Sequence, residues 1–108
     1  MLSNSELNAK QYYHGNDVAY VKEQLRKHGK YMHDLALKVD LPIAVTSNFK
    51  WAERYALFAW DRSKMTPVVL IIDGDAVRER VKEASNVSSS PCIDYLLESE
   101  FMIKEIKL

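Results

Sequence analysis

The run TPVVLIID, residues 66–73, decides how this chain folds. Five apolar residues in succession, Val68 to Ile72, stand between Pro67 on one side and Asp73-Gly74 on the other. A short, uniformly apolar run between turn formers is what a strand buried on both faces requires. The rest of the chain has to be arranged around it.

Upstream lies the clearest helix. Ser47 or Asn48 caps a segment running to about Asp61, with Trp51, Tyr55 and Phe58 in one stripe and Ala52, Ala56 and Ala59 in a smaller one beside it. An aromatic stripe at this spacing ordinarily packs into the core. Before it, LPIAVTS at 41–47 reads as a short strand, since Ile43 and Val45 favour extension and Pro42 is tolerated near a strand start. Earlier still, QYYH at 11–14 fits a strand that ends in a turn at Gly15-Asn16. Asn16 or Asp17 then caps a helix to about His28, carrying Val18, Tyr20, Val21 and Leu25, with Gly29 as its stop. KYMHDLALKVD at 30–40 suits either a short helix or a loop over the core.

Downstream, a charged helix is expected from Asp75 to Ala84, with a Glu79–Glu83 repulsion offset by neighbouring Arg and Lys. SNVSSSP at 85–91 reads as a flexible surface loop. A strand near 93–96 leads into LLESEFMIKEIKL at 96–108, taken as the final strand. Strand alternation would place Glu98 and Glu100 on one face, about 7 Å apart, with Met102, Ile106 and Leu108. Leu97, Phe101 and Ile103 would take the other. Strands and helices in this order, without a glycine-rich phosphate turn, predict an α+β domain with a split, curved β-sheet and flanking helices.

Composition bounds the rest. At 108 residues the chain is read as one domain, 1–108, with 1–10 as a poorly ordered or accessory segment. Fifteen basic and fifteen acidic residues cancel, so net charge gives no electrostatic footprint for nucleic acid. Cys92 is the sole cysteine, which excludes an intrachain disulfide and a metal site built on several thiolates, and fits a reducing compartment. His28, His33 and Asp34 do not share a helix face across Gly29, so no metal site is expected from them. The polar start MLSNSELNAK carries no secretory pattern, and no apolar run reaches membrane-span length, so a soluble, cytoplasmic protein is expected without membrane partners.

Three stretches carry residues suited to chemistry: Tyr13-His14-Gly15, TSNFKWAERYA at 46–56, and Glu98-Ser99-Glu100. Taken singly, a strand-end histidine suits a half-buried imidazole satisfied by backbone, and paired acids suit a solvated strand edge. Their order, with VVLIID between the second and third, resembles the ADP-ribosyltransferase superfamily. The likeness is to members of the histidine, tyrosine, glutamate type, which include the poly(ADP-ribose) polymerases and small bacterial and phage relatives, and it spans residues 11 to 106.

That resemblance implies an NAD-dependent transfer of ADP-ribose to an arginine side chain, another protein group or a nucleic-acid group, in a toxin, a phage effector or a housekeeping modifier. It implies that His14 binds the adenosine ribose of NAD, the Gly15 backbone holds the nicotinamide carboxamide, Thr46 and Ser47 line the nicotinamide pocket, and Tyr55 stacks on the ring. Glu100 falls on the catalytic glutamate and Glu98 on the acceptor-defining position two residues earlier. The chemistry fits those types: cleaving the nicotinamide–ribose bond develops oxocarbenium character, which a carboxylate stabilises. Ala44 departs from the family's second-strand tyrosine, so Trp51 or Tyr31 would have to rebuild that wall. The departure and the short length also leave open a catalytically inactive module of the same fold that inhibits or regulates a partner protein.

Overall fold

The computed structural model describes residues 4–32, 42–59, 65–83 and 90–107. Its elements are α1 (Asn4–Leu7), β1 (Gln11–Asp17), α2 (Val18–His28), β2 (Lys30–Tyr31), β3 (Ile43–Ala44), α3 (Phe49–Ala59), β4 (Pro67–Asp73), α4 (Gly74–Val77) and β5 (Lys82–Glu83). β6 (Pro91–Ile93), β7 (Leu96–Leu97) and β8 (Phe101–Glu105) complete it, with 3-10 turns at Arg78–Arg80 and Glu98–Glu100. The class is α+β, and every strand pair is antiparallel.

β4 is the centre of the fold. It lies between β1 and β8, with His14 opposite Leu70 and Phe101 opposite Ile72. Val68, Val69, Leu70 and Ile72 are fully buried, as the uniformly apolar run demands. On one face Tyr12, Leu70, Ile72 and Phe101 join Val21, Tyr31, Ile43, Ile93 and Leu96 in the hydrophobic core. Two small sheets supply the last of these, β2 with β7, and β3 with β6 and β5.

β1 is longer than its sequence suggested. Gly15 and Asn16 form no turn; they continue the strand opposite Val69 and Val68. Glycine is required at Gly15 for another reason. A Cβ there would lie 2.5 Å from the Ala52 carbonyl oxygen and 2.9 Å from the Ala56 amide nitrogen, so only a bare backbone lets α3 sit this close. The strand ends at Asp17, whose carboxylate accepts from the Tyr20 N–H that opens α2 and from the Thr66 N–H. Gly29, at φ +70°, ends α2 with its N–H on the Leu25 carbonyl.

Asn48 caps α3, its side-chain oxygen accepting from the Lys50 N–H at 3.0 Å. The helix then seats through its small residues. Ala52 and Ala56 are buried over Gly15, while Trp51, Tyr55 and Phe58 face solvent at 62%, 53% and 81% exposure. This reverses the core role expected of the aromatic stripe, because backbones in contact leave no room for rings between them. The Ala59 side chain lies outside the described residues.

The C-terminal third corrects two expectations. α4 and the following 3-10 turn end by Arg80, and Lys82–Glu83 is a strand, so Glu79 and Glu83 share no helix. LLESEFMIKEIKL is likewise not one strand. Glu98–Glu100 form the 3-10 turn between β7 and β8, so Glu98 and Glu100 do not alternate on a common face: Glu98 is exposed and Glu100 buried. A carboxylate that caps its own turn cannot also keep strand geometry. The segment expected to be accessory is tied down at Leu7 and Ala9, whose carbonyls accept from the Arg78 guanidinium at 3.2 and 2.7 Å. Residues 33–41 and 84–89, and with them His33, Asp34 and most of the serine loop, lie outside the described residues.

Candidate functional site

β1 and β3 meet and then part. Tyr13 of β1 and Thr46, just past β3, exchange both backbone hydrogen bonds, at 2.7 and 3.0 Å, as an isolated antiparallel bridge. Beyond it β3 turns away to pair with β6, Ala44 opposite Cys92, while β1 stays with β4. Backbone groups alternate along a strand, so Gly15, two residues on from Tyr13, aims its N–H and C=O at the same diverging edge. The mouth of the split is therefore lined by backbone polar groups.

His14 stitches this split. Its Nδ1 donates to the Ala44 carbonyl at 2.7 Å, which fixes the proton, since a carbonyl can only accept. With the ring neutral, Nε2 accepts from the Tyr31 hydroxyl at 2.8 Å, and that hydroxyl accepts from the Asn16 side-chain N–H. Asn16 closes the chain by accepting from the Asp17 N–H at 2.7 Å. All four groups are buried, so each bond removes a desolvation penalty that an apolar neighbour would leave in place. Burial pushes the Tyr31 phenol well above its usual range, with the Asn16 bond opposing and the nearby Tyr20 and Tyr55 hydroxyls adding to it. The Tyr31 ring lies against His14, with ring centres 5.6 Å apart. Trp51 is on the solvent side of α3.

Thr46 and Ser47 form the turn from β3 into α3. The Thr46 hydroxyl accepts from the Asn48 N–H at 3.1 Å, and Ser47 is exposed. Tyr55 is half exposed on α3, within electrostatic reach of Tyr31.

Glu100 is buried at 9% exposure and doubly held. One carboxylate oxygen pairs with Arg80, and the other accepts from the Leu97 N–H at 2.8 Å. Arg80 is itself fixed, donating to the Tyr95 carbonyl at 2.7 Å with its guanidinium 4.6 Å from the Tyr95 ring centre. Nothing in the spacing of Arg80 and Glu100 announces this pair; an arginine on a short turn twenty residues upstream has no local signature.

A cavity of about 770 Å³ brings part of the set together. Lys10, Tyr13, Ser47, Asp73, Glu100 and Met102 help to line it, and its size suits a small-molecule ligand. Tyr13, Ile71 and Met102 are direct cross-strand neighbours, so the cavity lies on their face of the β1-β4-β8 sheet. His14 points from the opposite face, toward Tyr31. Ser47 and Glu100 are therefore joined at this cavity, while His14, Gly15, Thr46, Tyr55 and Glu98 are not among its lining residues.

Among the described residues no group of three or more His, Cys, Asp and Glu could hold a metal ion, and no helix is long and apolar enough to cross a membrane. Cys92 is buried on β6. No family model matches this sequence, and no curated protein or solved structure matches it either.

Proposed function

We propose that this protein is an NAD-dependent mono-ADP-ribosyltransferase with an ADP-ribosyltransferase-like fold, transferring ADP-ribose from NAD to a protein or nucleic-acid acceptor. The observation that carries the reading is the parting of β1 from β3 just past the Tyr13–Thr46 bridge, with the imidazole of His14 and the free-edge peptide groups of Gly15 in its mouth. A peptide N–H and C=O pointing the same way are complementary to a carboxamide, which offers one acceptor and one donor in a plane. Nicotinamide presents that group.

In this reading Thr46 and Ser47 border the amide and Tyr55 supplies an aromatic face for the ring. Glu100 acts on the ribose. It leaves the sheet in the 3-10 turn and lines the cavity that Ser47 also borders. A fixed carboxylate beside C1′ stabilises the positive charge that builds as nicotinamide departs, and Arg80 with the Leu97 N–H holds it in place. Glu98, exposed beside it, is free to meet the acceptor.

A second reading follows from the same bonds. Both ring nitrogens of His14 and both oxygens of Glu100 are engaged within the protein. Such closure favours a catalytically inactive module of this fold that works by occupying a partner protein. Nicotinamide release from NAD, measured with cell extract as acceptor source, separates the two. The transferase reading expects Glu100→Gln to lower release at least about a hundred-fold. Background release by wild type and variant alike rejects it in favour of the module.

A further inference from the structure

The outward face of α3 is the least economical feature of the fold. A helix that seats through Ala52 and Ala56 leaves Trp51, Tyr55 and Phe58 in water, three aromatic residues grouped on one surface. Grouped exposed apolar surface of this kind marks an interaction site. At 3.6 residues per turn the exposed residues order themselves around the helix as Lys50, Arg54, Phe58, Trp51 and Tyr55, over an arc of about 140°. The cations occupy one edge and the rings the rest.

We infer that this face binds single-stranded nucleic acid, with the sugar-phosphate backbone along the Lys50–Arg54 edge and bases stacked on Trp51 and Phe58. Along the helix axis these two rings stand about 10 Å apart, within the reach of a short single strand. The Arg54 guanidinium lies 5.9 Å from the Trp51 ring centre, so phosphate and base sites adjoin. Lys50 also reaches Glu53 at 3.9 Å, the outer limit of an ion pair, and that contact yields readily to a phosphate.

Other occupants fit less well. A second copy of this chain, laid antiparallel and face to face about a two-fold axis, would set the Lys50–Arg54 edge against its own like. A bilayer surface calls for cations on both flanks of the apolar face, whereas among the described residues of α3 they line one edge, as a polynucleotide's one-sided backbone requires. The inference stands on α3 alone and does not depend on NAD chemistry.

Fluorescence anisotropy of a dye-labelled oligothymidylate of roughly a dozen nucleotides tests it, against the matching duplex and against vesicles of phosphatidylcholine with phosphatidylserine. The single strand should bind in preference to the duplex, and Trp51→Ala and Phe58→Ala should each weaken it at least about five-fold. With two phosphate contacts, affinity should fall about seven-fold between 50 and 200 mM salt, and Arg54→Gln should halve the slope. These side chains are exposed, so the variants should keep the wild-type circular dichroism spectrum. No binding, binding unchanged in both ring variants, preference for duplex, or binding to vesicles alone would each overturn the inference.

Discussion

Gly15→Ala adds a single methyl group at the point where β1 and α3 touch. That carbon would arrive 2.5 Å from the Ala52 carbonyl oxygen, 2.9 Å from the Ala56 nitrogen and 3.0 Å from the Ala56 methyl. Ordinary contact begins at 3.4 Å, so α3 must withdraw by 3.4 − 2.5, or about 0.9 Å. Two of the three obstructing atoms are backbone, which no rotamer change can move. The cost should be that of overpacking a tight seam, about 1–3 kcal/mol. In a chain of this size each kcal/mol lowers the melting temperature by roughly 4–8 °C. Urea unfolding and a thermal scan by circular dichroism read both quantities. Gly15→Ser should cost at least as much, and Gly29→Ala should cost through its positive φ, since nothing lies within 4 Å of a Cβ at that position. A Gly15→Ala protein within about 0.5 kcal/mol of wild type would refute the close seating of α3, and with it the explanation for the exposed rings.

Two further outcomes follow from the buried and the exposed polar groups. Tyr31→Phe should destabilise by about 1–3 kcal/mol in urea unfolding, because it strips a buried partner from both His14 Nε2 and the Asn16 amide; an unchanged midpoint would mean that water enters and replaces the hydroxyl. Glu23 is lowered to about 2, chiefly by its hydrogen bonds from Arg26 and Lys27. A depressed carboxylate contributes stability that is fully present above its unfolded value and is lost as pH falls through the folded one. The small contribution of this exposed cluster should therefore vanish between about pH 4.5 and 2, and Arg26→Ala should raise the Glu23 titration midpoint followed by NMR at low salt. A midpoint that ignores both the substitution and added salt would show that the cluster is not formed in solution.

Much of the fold was legible because its signals are local. The apolar run at 68–72, short and bounded by turn formers, reads as a buried strand, and Asp17 and Gly29 bracket a helix by the chemistry of capping, which acts within one turn. The site was less legible. His14 and Glu100 are held at or beside the central sheet, yet the partners that define their state are remote: Tyr31 for His14, Arg80 for Glu100. A hydrogen bond spanning seventeen or twenty residues leaves no periodicity to read.

What the sequence by itself determined was the α+β class, the strand at the centre and the ends of α2, since these depend on each residue's own geometry and its immediate neighbours. Which side of α3 turns inward, whether Glu98 and Glu100 share a face, and which face of the sheet carries the cavity were decided only by packing. A helix with both an alanine stripe and an aromatic stripe can bury either. The choice fell to Gly15 on another element, because a glycine beneath a helix rewards the closest approach, and the closest approach admits only alanine.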